Sequence, residues 1–176
     1  MADVTFNTPT GQTVARERMI AYLNTGTSSA PVWSPFGKRV EDSSMEYDWD
    51  SSTTRDILGN TWGKLKKPIV TQDFDPWDLD GGDAALVKIW NLAVKDQDAM
   101  ALANQDVLVV HFYAGNEATP FAERYPSSMI EVGENGGEGG GELGIASTVT
   151  FGGTRAVGTA SKNAETGAIT FNPAAA

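Results

Sequence analysis

Few residues in this chain have a type and spacing that suggest chemistry. The glycine-rich run at 133–142 has the look of a phosphate cradle. Glu134, Glu138 and Glu142 would repel phosphate, however, and no Lys-Ser or Lys-Thr pair follows. The run reads as a flexible connection. Residues 73–83 carry Asp73, Asp75, Asp78, Asp80 and Asp83 and have the composition of a calcium loop, yet Pro76 interrupts them and no glutamate stands at the twelfth position. Capping and turn formation account for these carboxylates without a metal. His111 is the only histidine and lies in an apolar run, so it cannot complete a zinc set, and no serine stands in a nucleophile-elbow context. A packed, hydrogen-bonded strand histidine is expected. Glu46 and Asp48 are a carboxylate pair of the kind glycosidases use, but on one strand they line a face without defining a cleft. Of five tryptophans, Trp49 and Trp90 fall on expected core faces, which leaves Trp33, Trp62 and Trp77 for a sugar-stacking platform. No catalytic residue, cofactor site or metal site is assigned.

The elements that would position these residues are mostly strands around one helix. Residues 83–96 place Leu86, Ile89, Trp90, Ala93 and Val94 at the three-and-four spacing of a helix face, with Lys88, Asn91 and Lys95 pointing elsewhere. Asp80 and Asp83 suit the positive end of that helix, and Lys95 suits the negative end. A helix this short needs a partner surface. Residues 68–74 and 106–113 supply strands, the second apolar enough to be buried on both faces. Earlier, 1–17 read as a flexible arm or weak edge strand, 19–23 as a first strand, and 32–36, flanked by Pro31 and Pro35, as an edge segment. Met45, Tyr47 and Trp49 alternate with Glu46, Asp48 and Asp50, which predicts one aromatic core face and one acidic face.

Residues 43–74 then read as one long hairpin or extended loop. Its outgoing limb is acidic, its return limb carries Lys64, Lys66 and Lys67, and its tip is Ile57, Leu58, Gly59 and Asn60. Opposite charges could simply pair across the hairpin; alternatively the hairpin is an arm that reaches a neighbouring copy. Further on, 121–125 and 128–132 form a strand pair or one strand broken at Pro126. Leu143 to Phe151, Arg155 to Thr159 and Ala168 to Phe171 are later strands, and 172–176 a loose tail.

Length and composition bound the rest. A chain of 176 residues with 40% hydrophobic content suits one domain, here 1–176. The net charge of −10 argues against a surface that grips nucleic acid, and the absence of cysteine removes disulfides and thiol chemistry. Neither a signal peptide nor a membrane span is visible, so a chain with no membrane anchor is expected.

Three stretches carry a resemblance to a known family. They are Ser-Met-Glu-Tyr-Asp-Trp at 44–49, Asp-Ile-Leu-Gly-Asn-Thr at 56–61, and Lys-Lys-Pro-Ile-Val-Thr-Gln-Asp-Phe-Asp-Pro at 66–76. With the motifs at 79–85, 88–93, 109–113, 118–125 and 137–141, they resemble the major tail tube proteins of tailed bacteriophages of Gram-positive hosts, over roughly residues 40–160. The resemblance implies a mainly β fold of two packed antiparallel sheets, a β-sandwich or barrel with one flanking α-helix and a long hairpin loop. It also implies six copies per ring, an inner barrel shared between copies, and rings stacked through the hairpin and terminal arms. Residues 43–67 would be the stacking loop, with Ile57, Leu58, Gly59 and Asn60 in inter-ring contact, and 83–96 would lie outside the barrel.

The implied partners are further copies of the chain and the tape measure, baseplate or distal tail, and tail terminator proteins, with DNA passing through unbound. The implied location is the virion tail, assembled in the host bacterial cytoplasm. Six copies at −10 each carry −60 per ring, and charge facing the bore would let DNA slide. Glu46, Asp48 or Asp50 is expected to contribute to that bore. The inner tube of a contractile system, and from a different class a carbohydrate-binding β-sandwich, are the alternatives.

Overall fold

The computed structural model describes residues 3–175. The expected arm and tail therefore extend past the described residues at Met1, Ala2 and Ala176. Eleven strands form: β1 (Met19–Asn24), β2 (Trp33–Pro35), β3 (Met45–Asp48), β4 (Ser51–Arg55), β5 (Thr61–Leu65), β6 (Ile69–Asp78), β7 (Gln105–Asn116), β8 (Thr119–Gly136), β9 (Gly144–Phe151), β10 (Ala156–Lys162) and β11 (Ile169–Pro173). All the strand pairings are antiparallel.

Strand β8 joins two sheets. Up to Ser128 it pairs with β7, with a register shift between Tyr125 and Ser128, and over 121–124 also with β10; from Met129 it pairs with β9. Pro126 does not end the strand. Having no N–H to donate, it falls in the register shift of the β7–β8 ladder, just before the partners change. The first sheet runs β2-β1-β7-β8-β10-β11, and the second β8-β9-β6-β3. Between them Leu23, Val107 and Val109 of the first sheet share a core with Val70, Trp77, Ile130, Ile145 and Val149 of the second and with Leu86 and Ile89. The first sheet also coils, so that Ala160 and Ile169 pack with Tyr22, Trp33, Leu108 and Val110 on its other face. Both faces of β7 are thus covered, as its unbroken apolar run predicts.

The helical segment is shorter and less regular than its periodicity predicts. It comprises α1 (Ala84–Trp90), then a wide π turn at Asn91–Lys95, then a separate single turn, α2 (Ala99–Leu102). Asp83 caps α1, its Oδ1 accepting from the Ala85 and Leu86 amides at 3.1 Å each, while Trp77 Nε1 donates to its Oδ2 at 3.3 Å. Lys88 does not project into solvent. Its Nζ donates to the Asn24 carbonyl at 2.6 Å, tying α1 to β1, and burial pushes its pKa down.

Several other expectations are corrected. Trp33 and Trp77 are buried, so neither belongs to a sugar platform, while Tyr47 and Trp49 are about half exposed at the border of the second sheet, where only Met45 of that face packs on the core. Residues 133–136 belong to β8, and Asn172 and Pro173 to β11, so the irregular connection narrows to 137–143 and the last strand runs into the expected tail. Of the expected arm, residues 5–7 are held as a weak edge: the Asn7 amide donates to the Tyr113 carbonyl at 2.9 Å and the Gly115 amide to the Thr5 carbonyl at 2.8 Å.

Candidate functional site: surfaces for assembly

The hairpin leaves the second sheet as a separate two-stranded ribbon of β4 and β5, with Ser51 opposite Leu65 and Arg55 opposite Thr61. All ten strand residues are exposed. Asp56 builds the tip. Its carboxylate accepts from the Leu58 amide at 2.9 Å, the Asn60 amide at 2.8 Å, Asn60 Nδ2 at 3.0 Å and Trp62 Nε1 at 3.0 Å. Those donors, the Trp62 indole foremost, hold its carboxyl down at about 2. Gly59, at φ +85°, takes the left-handed step that closes the turn, and the Gly59 amide donates to the Asp56 carbonyl at 3.0 Å.

The result is a preorganised knob. Ile57 is fully exposed and Leu58 is 81% exposed. Exposed apolar side chains gathered on an ordered tip are the kind of patch that contact surfaces present. Of the expected cross-limb ion pairs, Lys66 with Asp50 forms at the hairpin root. Among the described residues, Arg55, Lys64 and Lys67 have no acidic partner within 4.0 Å.

The second sheet supplies the other surface. Glu46 lies opposite Thr71, Thr71 opposite Thr150, and Thr150 opposite Met129; Asp73 lies opposite Thr148, and Thr148 opposite Glu131. These rows face away from the core. With Asp48, Asp78 and Glu134 they form a sheet face dominated by carboxylates and threonines, with Ile69 and Met129 exposed among them, and among the described residues its outward positions hold no lysine or arginine. Glu46 and Asp48 are therefore brought together on one face, while Asp50 lies beyond β3 and pairs with Lys66. Sequence reading missed Asp73, Asp78, Glu131 and Glu134. The available signal was the absence of any Lys, Arg or His from 73–87 and 125–154.

Among the described residues both borders of this sheet are open. Strand β3 has β6 on one side only, and the part of β8 from Met129 onward has β9 on one side only. Three successive antiparallel pairings make the two border strands run in opposite directions.

His111 sits in a buried polar cluster and not in a reactive one. Its Nε2 donates to Glu123 Oε1 at 3.1 Å; Arg155 Nε and the Tyr125 hydroxyl donate to Glu123 Oε2 at 2.7 and 2.6 Å. Burial pushes the Glu123 pKa up, but these three donors outweigh it and hold the carboxyl at about 2. Among the described residues no group of three or more His, Asp or Glu is placed to hold a metal ion.

No family model matches the chain, and no curated protein matches it in sequence. Among solved structures it is similar to the sheath/tube terminator of an extracellular contractile injection system (PVC) in the extended state. That match has a TM-score of 0.52 and 10% identity and covers 85% of this chain and 99% of the other. It is also similar to the tube terminating cap of the anti-feeding prophage (AFP), with a TM-score of 0.51 and 12% identity, covering 87% of this chain and 95% of the other. At these identities what is shared is the fold.

Proposed function

We propose that this chain is a tube subunit of a tailed phage, polymerising as stacked hexameric rings into a hollow conduit through which DNA passes. The observation that carries the reading is the second sheet: four strands, two open borders of opposite direction, and an outward face of carboxylates without a cation. Copies related by rotation about a common axis would set β3 of one beside β8 of the next, and the alternation would stay antiparallel around the ring. Closure removes every open edge of that sheet. Six copies would close a barrel of about 24 strands, and at a spacing near 4.8 Å and a tilt near 40° its backbone diameter would be roughly 50 Å. Glu46, Asp48, Asp73 and Glu131 would then line the bore and keep phosphate from adhering. Asp50 would lie at its margin.

The hairpin supplies the contact between rings, and its Ile57 and Leu58 would each contribute about 1.5–3 kcal/mol if fully buried. Tape measure, baseplate and terminator proteins are the partners such a tube requires, and the virion tail is its location. No step of this function uses a catalytic group. A second reading is favoured by the likeness in fold to a tube terminator and a tube cap: the chain would form a ring that ends a tube of a contractile system.

Negative-stain microscopy of the concentrated protein separates these readings. Hollow filaments support the tube subunit, and single rings that do not stack support the terminator. A strict monomer retained by immobilised polysaccharide would overturn both in favour of a binding module.

A further inference from the structure

We propose that the hairpin tip, Ile57 and Leu58, seats in the groove that Leu79, Leu86, Val87 and Trp90 form on a second copy, a contact that rests on the polymer reading above. The groove lies between the end of β6 and α1, has a volume of about 190 Å³, and is rimmed by Asp80 and Gly81. A volume of roughly 150 Å³ takes up a benzene-sized apolar group, so the groove has room for the aliphatic knob.

Position supports this occupant. The hairpin enters β6 at Ile69, and the groove begins at Leu79, just past its other end. Ten residues of strand separate the two by roughly 33 Å. A molecule with a knob at one end and a matching pit at the other makes heterologous contacts that do not close on themselves, and the product is an open stack.

Charge supports it independently. Residues 51–67 carry Arg55, Lys64, Lys66 and Lys67 against Asp56, a net +3 inside a chain of −10, so the remainder stands at −13. Segments 73–87 and 125–154 hold nine carboxylates and no lysine, arginine or histidine. They converge beside the groove, where the Leu79 amide donates to the Leu143 carbonyl at 2.8 Å and Asp78 lies opposite Gly144. Asp80 is paired with Lys38 and Arg39, while Asp78, Glu134, Glu138 and Glu142 have no cation within 4.0 Å among the described residues. A basic hairpin meeting an acidic pole attracts; hairpin meeting hairpin repels.

The chain has no cysteine, which makes the contact directly testable. One preparation carries Leu58→Cys and another Val87→Cys; they are mixed, assembled and oxidised. The expected product is a disulfide-linked dimer joining position 58 of one chain to position 87 of another, identified by peptide mass, with either preparation alone giving at least tenfold less. Ile57→Cys replaces Leu58→Cys if the latter does not enter filaments. Filaments that form without this link overturn the proposed contact and leave the tube reading intact. Failure of the unsubstituted chain to form filaments, including arrest at single rings, overturns both. In a second arm, Lys64→Glu with Lys67→Glu should lower filament yield at least tenfold, and Glu134→Lys with Glu142→Lys should restore it in the same chain; an unchanged yield overturns the electrostatic half of the proposal.

Discussion

Two carboxylates decide the local order of this molecule, and they do so in opposite settings. Asp56 is part-exposed at the hairpin tip and gathers four donors there; Glu123 is buried and receives three donors from His111, Arg155 and Tyr125. Both have pKa values near 2, below the ordinary carboxylate range of roughly 4. A depressed folded-state pKa contributes stability that is fully present above about pH 4 and disappears as pH falls through about 2. The tip and the buried cluster should therefore hold their structure at pH 5 and loosen between about 4 and 2. A side-chain NMR titration should place both carboxyl midpoints near 2; midpoints near 4 would mean that these donors are not engaged. Glu123→Ala strands His111 and the Tyr125 hydroxyl in a buried site, while the half-exposed Arg155 can turn to water, and should cost about 2–4 kcal/mol in urea unfolding. Asp56→Ala should leave global stability within about 0.5 kcal/mol while removing the tip's order, since the hairpin packs on nothing.

At the scale of elements, the junction of β6 with α1 holds the second sheet to its helix. Trp77 is fully buried and donates to the Asp83 side chain, which also caps α1. A helix of seven residues and one π turn has little intrinsic stability, so most of its persistence comes from this cap and from Leu86 and Ile89 in the core. Asp83→Ala should cost about 1–2 kcal/mol, at the upper end because the Trp77 indole also loses its acceptor. Trp77→Ala should cost about 3–5 kcal/mol. Thermal melts of the two variants should rank in that order. The helical periodicity of 83–96 was legible because Leu86, Ile89, Trp90, Ala93 and Val94 recur at the right spacing. The π turn was not, because a widened turn keeps the same apolar residues and changes only which carbonyl each amide finds.

On the scale of the whole molecule, charge is sorted. The hairpin is basic, the outward face of the second sheet and the pole beside α1 are acidic, and the open borders belong to the same sheet as the acidic face. If that face lines a bore, reversing it should convert a conduit into a trap. Filaments carrying Asp73→Lys and Glu131→Lys should retain duplex DNA at low salt and release it as salt rises, whereas the unsubstituted filament should not retain it. Equal retention by both would remove this face from the bore. Leu58→Asp should leave the melting temperature unchanged and abolish filaments in sedimentation.

What the chain determined on its own was local. Turn residues around Gly59, the helical spacing at 83–96, the apolar run of β7 and the limits of the hairpin are all set by neighbours within a few positions, and periodicity reports them. What only the tertiary structure decided was which side of each strand meets protein. Met45, Tyr47 and Trp49 alternate as core residues should, yet β3 lies at a border, so Met45 reaches the core while Tyr47 and Trp49 stay half exposed. Asp73, Thr148 and Glu131 are far apart in the chain and become one surface only through register. Alternation says that a strand has two faces; the packing of the rest of the chain chooses which of them is left to water.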